Sequence, residues 1–221
     1  MSDFSTARQK MVDGQVRPSD VTDLRILDAL LAVPREDFVP TSQRAMAYLD
    51  IDLDISAPGG AKRFLMKPVV LARMLQAAEI TATDNVLVVG CATGYSAAVV
   101  AQIAGRVTAT EEDPALVGNA ADCLSGLGST NVVFKAAMAV DGCAANGPYD
   151  IIVLVGATEI IPSNLYQQLA PGGRLVGVFA MTQPQRAMIV TRSGDDYGNR
   201  ALFDATAPVL SGLERLPAFV F

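Results

Sequence analysis

The 221-residue sequence has no histidine, no tryptophan and only three cysteines. Without imidazole it lacks the commonest general base and the commonest metal ligand, so serine–histidine and cysteine–histidine hydrolysis are excluded. Cys91, Cys123 and Cys143 are odd in number and too widely spaced for a disulfide framework or a zinc site. Reduced thiols and no metal are the expectation. Lysine and arginine number 17 against 23 acidic residues, a net charge of −6. With no basic run, the counterion release that drives binding to extended nucleic acid is missing. The longest apolar stretches, such as Ile151 to Gly156 and Leu175 to Met181, fall far short of the ~20 residues a membrane span needs. Met1 to Lys10 mixes charges and hydroxyls and lacks the apolar segment of a secretory signal. A cytoplasmic chain that binds neither nucleic acid nor membrane is therefore expected.

What is present is ample core material, since half of the residues are apolar and the length suits one compact domain with an appendage. Ser5 to Val16 and Asp23 to Val33 carry helical apolar spacing, with Asp23 as a cap and Pro34 as a stop. Val39 to Gly60 reads as irregular, and Pro68 to Ala78 as a helix with proline in its first turn. From residue 84 onward, strand-length apolar runs (Asn85 to Val89, Arg106 to Thr110, Val132 to Lys135, Ile151 to Val155) alternate with helical segments (Ser96 to Ala104, Pro114 to Leu127, Ser163 to Leu169). Such alternation predicts parallel strands with helical crossovers. Arg174 to Ala180 and Gln185 to Thr191, with no helix between them, predict an antiparallel hairpin at one edge. We expect an N-terminal helical segment, 1–80, packed on a core, 81–221, as one structural domain.

The most informative stretch is Val86-Leu87-Val88-Val89-Gly90-Cys91-Ala92-Thr93-Gly94-Tyr95, followed about 20 residues later by Glu111. A buried strand that breaks into a small-residue turn and a helix, with an acid beyond the next strand, is the arrangement that holds a nucleoside and its ribose diol. The glycines stand as Gly90-x-Ala92-x-Gly94 rather than as G-x-G-x-x-G, and any doubly wound protein can turn through small residues. Glu111 has its own plain reading as a solvated acid, because Glu112 and Asp113 sit beside it.

Spaced matches elsewhere are more specific. Met11-Val12-x-x-Gln15-Val16-Arg17, Asp23-x-Arg25-Ile26-Leu27-x-Ala29-Leu30, Val33-Pro34-Arg35-x-x-Phe38-Val39-Pro40 and Ala47-Tyr48 resemble the N-terminal segment of the protein-L-isoaspartate O-methyltransferases. The likeness continues through Pro68, the Gly90 loop, Glu111, Pro114, Gly147-Pro148-Tyr149-Asp150 and Leu169-x-Pro171-Gly172-Gly173-Arg174-Leu175. It implies a Rossmann-like, doubly wound α/β fold: a mostly parallel seven-stranded sheet, an antiparallel edge hairpin and an N-terminal helical extension. It further implies S-adenosylmethionine as cofactor and methylation of the carboxyl group of isoaspartyl residues in a protein or peptide substrate. By the same resemblance Gly90, Cys91, Ala92, Thr93, Gly94, Tyr95, Glu111, Glu112, Met138 and Gly156 would hold the donor, with Phe64, Leu65 and Met66 at the substrate cleft.

Departures from the family pattern are equally specific. The family's Thr-Ile-Ser-Gln-Pro is Phe64-Leu65-Met66-Lys67-Pro68 here, so both hydroxyls are gone. Its first-motif acid is Val88, the second glycine of the loop is Ala92, and its Gly-Asp-Gly is Ala137-Met138-Ala139. Ala92 is tolerable at negative φ and obstructive at positive φ. Arg63 and Lys67 read either as a clamp for an acceptor carboxylate or as solvated charges. Gly156-Ala157-Thr158 reads as cleft lining or as a tight connector, and Pro171-Gly172-Gly173 as a plain turn. No catalytic residue is assigned. A methyltransferase for another acceptor, or a non-enzymatic binding protein that keeps the fold, stay open beside the isoaspartyl reading. The apolar stretches Leu202 to Leu210 and Pro217 to Phe221 are expected to dock back on the domain or to meet a second subunit.

Overall fold

The structure, a computed structural model, describes residues 4–56 and 60–216. Helix α1 (Phe4–Met11) runs on through a π turn at Val12–Val16 and a 3-10 turn at Arg17–Ser19. Asp23 caps α2 (Leu24–Ala32), its carboxylate accepting from the Arg25 N–H at 2.9 Å. The stretch read as irregular holds a short antiparallel pair, β1 (Leu53–Asp54) and β2 (Phe64–Leu65), and Pro68 then opens α3 (Pro68–Ala78).

The alternating part of the chain forms β3 (Asn85–Val89), α4 (Tyr95–Ala101), β4 (Arg106–Glu111), α5 (Pro114–Gly126), β5 (Val132–Ala136), β6 (Tyr149–Thr158), α6 (Ser163–Tyr166), β7 (Leu169–Phe179), β8 (Arg186–Ser193) and β9 (Asp196–Asp204). One seven-stranded sheet results, ordered β5-β4-β3-β6-β7-β8-β9. The first five strands of that order pair in parallel, and β8 and β9 extend the sheet antiparallel. The fold expected from the sequence is thus the fold observed.

Central β3 shows why. All five of its residues are buried, as a strand covered on both faces requires. Val86 and Val88 join a cluster that takes in Met11, Leu27, Leu30 and Phe38 from the N-terminal segment, whereas Leu87 and Val89 join Ile152, Leu154 and Leu165 on the other face. That split follows from the period-2 alternation of side chains along a strand.

Two local readings need correction. Pro171-Gly172-Gly173 is not a turn before a strand but part of β7. The pairing with β6 jumps from Tyr149↔Leu169 to Ile151↔Arg174, a bulge admitted by Gly172 at φ +78°. Gly156-Ala157-Thr158 is not a connector either. It lies inside β6, where the register with β7 shifts again between Val153 and Ala157.

Candidate functional site

In the observed strand order the chain moves from β3 outward through β4 and β5, then returns to β6 on the other side. The strand order therefore reverses between β3 and β6, and the crevice outside their carboxyl ends is where open α/β sheets bind ligands. Gly90, directly after β3, and Gly156, in the bulge of β6, face that crevice from opposite sides: β-carbons built on them would lie 2.5 and 2.6 Å from the Leu210 side chain.

The turn from β3 to α4 is shaped by its backbone. Gly90 has φ +72° and Gly94 φ +94°, angles glycine adopts without a steric penalty. The N–H groups of Gly90 and Cys91 both donate to the Thr110 carbonyl, which ties the turn to β4. At Gly94 a β-carbon would stand 2.8 Å from that of Ala120, so this glycine also permits α4 to approach α5. Ala92 sits at φ +52°, the conformation in which its methyl is unfavourable.

Glu111 ends β4 and is 3% exposed. It is not a solvated loop acid. Its Oε2 accepts from the Ala92 N–H at 3.0 Å, and its Oε1 from the N–H groups of Glu112 and Asp113 at 3.0 and 3.2 Å. Arg63 adds a fourth donor, with Nε 2.8 Å from Oε1, while its Nη2 reaches Glu112 at 2.8 Å. Burial would by itself lower the arginine pKa, but the hydrogen bond and charge of Glu111, with Glu112 behind them, outweigh it and raise it. Neither the reading of Arg63 as a solvated charge nor that of Lys67 as a free one survives: Lys67 lies 3.4 Å from Asp52 and 3.2 Å from the Thr206 hydroxyl.

Gly90, Ala92, Glu111 and Glu112 line one cavity together with Phe64 and Met66. Of the other residues assigned to the site, Gly156 faces the crevice opposite Gly90, and Gly94 closes the turn; the rest sit elsewhere. The Thr93 hydroxyl donates to the Phe38 carbonyl at 2.6 Å, and the Tyr95 ring packs edge-on to Phe38 beneath the Arg35 guanidinium. Both hold the N-terminal segment to the core. Leu65 is buried in that core. Cys91 is wholly buried, and its thiol is pushed up by desolvation and then by Glu111, so it is inert. Met138 is exposed.

Arg63, one of whose two readings from the sequence is a clamp at the cleft, also lines the cavity, as do Ala137, Ala139, Val155 and the run Pro208 to Ser211, which the sequence did not assign. Ala157 donates to the Pro208 carbonyl at 2.8 Å and accepts from the Leu210 N–H at 2.9 Å, so the stretch expected to dock back does so, across the mouth of β6. The signal was its apolar composition, which gave contact but not place. Pro217 to Phe221, the other docking stretch, lies outside the described residues.

As the side chains stand, a nucleoside does not fit. Arg63 holds the acid that would accept the ribose hydroxyls, and Leu210 lies against both glycines. The remaining cavity is about 40 Å³, against roughly 300–1,000 Å³ for a small-molecule site.

The comparisons with known proteins agree with the motif likeness. Residues 6–206 match the family model described as protein-L-isoaspartate(D-aspartate) O-methyltransferase (PCMT). The chain belongs to this family. A protein-L-isoaspartate O-methyltransferase 1 of Rhodopseudomonas palustris (strain HaA2) is 38% identical over 213 residues, 96% of this chain and 85% of that one. The protein-L-isoaspartate O-methyltransferase of Roseiflexus sp. (strain RS-1) is 34% identical, covering 95% and 94%. Among solved structures, a protein-L-isoaspartate O-methyltransferase superposes with a TM-score of 0.81 at 24% identity, over 93% of this chain and 66% of that longer one. A Plasmodium falciparum protein assigned to the same family, in complex with S-adenosyl-L-homocysteine, gives 0.77 at 16% identity, covering 92% and 98%. At these identities the structures speak for the fold. The protein-L-isoaspartate O-methyltransferase family uses S-adenosylmethionine and acts on protein substrates. Among the described residues no helix is long and apolar enough to cross a membrane.

Proposed function

We propose that this chain is an S-adenosylmethionine-dependent methyltransferase of the cytoplasm that esterifies the carboxyl group of isoaspartyl residues in damaged proteins. The observation that carries the reading is Glu111: a buried carboxylate at the end of β4, facing a positive-φ turn at the point where the strand order reverses. The donor brings an electrophilic methyl group. An acceptor carboxylate is already ionised near neutral pH, so the absence of histidine is no obstacle, and what remains for the protein is orientation and exclusion of water. In this reading Gly90, Ala92, Glu111 and Glu112 surround the donor, and Phe64 and Met66 form an apolar wall on the acceptor side. The N-terminal helices and the sheet act as one structural domain, because the Thr93 hydroxyl donates to the Phe38 carbonyl and the Arg35 guanidinium lies over the Tyr95 ring.

The test is methyl transfer from labelled donor to an isoaspartyl peptide and to its aspartyl counterpart. Transfer to the isoaspartyl form alone is the expected result. Donor binding without such transfer would move the assignment to another acceptor, and no binding at millimolar donor would replace the enzymatic reading with an assembly role.

A further inference from the structure

We infer that Arg63 is an internal competitor for the donor, a latch that must leave Glu111 before a ribose diol can take its place. This rests on the donor-binding reading above. A carboxylate oxygen offers about two lone-pair positions. Glu111 Oε1 already receives three donors, the N–H groups of Glu112 and Asp113 and Arg63 Nε, while Oε2 receives the Ala92 N–H, so a diol that needs both oxygens finds Oε1 taken. The donors from Ala92, Glu112 and Asp113 belong to the backbone of the turn and of the strand end. Only Arg63 can withdraw without unmaking either.

The arginine is held on every arm. Nε meets Glu111, Nη2 meets Glu112, and Nη1 donates to the Lys62 carbonyl at 2.9 Å. Its side chain is 14% exposed, so the pair is little screened by salt. It stands directly before β2, the two-residue strand whose Phe64 lines the same cavity. Withdrawal of Arg63 thus frees an acceptor on Glu111 and enlarges the cavity beside it in a single movement. The Glu112 pair, on a carboxylate that is 39% exposed, gives the displaced guanidinium a partner nearer solvent.

A latch differs from a structural ion pair in a measurable way, since it stabilises the empty state and not the loaded one. Titration of S-adenosyl-L-homocysteine by calorimetry into the wild type and into Arg63→Gln, with melting of each protein alone and saturated, separates the two. The variant is expected to bind at least tenfold more tightly, the least that removal of a competing charged hydrogen bond predicts. Its Tm should be lower than that of the wild type when empty and level with it when saturated. Arg63→Lys, whose single ammonium cannot span both glutamates, should fall between them and covers the case in which Arg63→Gln does not fold. Equal or weaker binding by the variants, with normal binding by the wild type, overturns the latch and leaves the donor reading standing. No binding by any of the three overturns both.

Discussion

Ala92 holds a left-handed conformation at φ +52°, where a β-carbon costs about 1–2 kcal/mol. Glycine in its place relieves that strain but loses about 0.5–1 kcal/mol to the greater freedom of the unfolded chain. Ala92→Gly should therefore raise stability by about 0.5–1 kcal/mol, a Tm increase of roughly 1–4 °C for a chain of this size, read by thermal melting. The Ala92 N–H to Glu111 bond is a backbone contact and is kept by the variant. Arg35 is the converse case. It is fully buried, with Nε donating to the Ala47 carbonyl at 2.7 Å and Nη2 to the Met66 carbonyl at 2.8 Å, and its guanidinium lies over the Tyr95 ring. Lysine keeps the charge but not the planar fork. One buried carbonyl would then lose its partner, so Arg35→Lys should cost about 1–3 kcal/mol, seen as a lower midpoint in urea. The sequence marked both residues, Ala92 by its place between two glycines and Arg35 within a motif, yet the sign of φ and the identity of the two carbonyls are tertiary facts.

Helix α2 illustrates how local chemistry makes an element legible from residue order alone. Asp23 accepts from the N–H two residues on and precedes an apolar stripe that buries Ile26, Leu27, Ala29 and Leu30. Asp23→Ala should cost about 1 kcal/mol through loss of the cap, checked by chemical denaturation at neutral pH. Where pattern and packing agree, as in α2, α3 and β3, boundaries read from the sequence fall within a residue of those observed. Where they part, the reason is physical. β9 is an edge strand with most of its residues exposed, so no alternation marks it, and its register is set by β8 alone. β1 and β2 are two residues each, too short to carry a period. The helical segment expected over Ser163 to Leu169 ends at Tyr166, because Leu169 pairs with Tyr149 in the sheet.

At the level of the whole chain the cradle was legible and its contents were not, because Arg63 and Leu210 reach it from segments 48 and 54 residues away from Glu111 and Gly156 respectively. The absence of histidine, by contrast, has a consequence for the entire molecule that sequence and structure together define. Imidazole is the side chain that ordinarily titrates between pH 5 and 8, so stability should be level across that interval. Below it, Asp23 and Asp54 are held under the ordinary carboxylate value, Asp23 first by its hydrogen bond from Arg25 and Asp54 first by that from Lys62, which brings Asp54 to about 2. A lowered carboxylate stabilises the fold above its unfolded value near 3.8 and loses that contribution as pH falls through the folded one. The acid limb therefore belongs below pH 4. On the alkaline side burial raises the Cys91 and Tyr149 groups and brings Tyr166 to about 12. A raised group contributes fully below its unfolded value, 9.0 for the thiol and 10.0 for the phenols, and that stability drains away as pH climbs toward the folded value. Each such group contributes a slope approaching about 1.4 kcal/mol per pH unit in that window. Urea midpoints measured from pH 3 to pH 10.5 should trace a plateau between roughly 5 and 8 with a fall on each side. A step near pH 6.5 would contradict this account, since none of the shifts named above falls in that range.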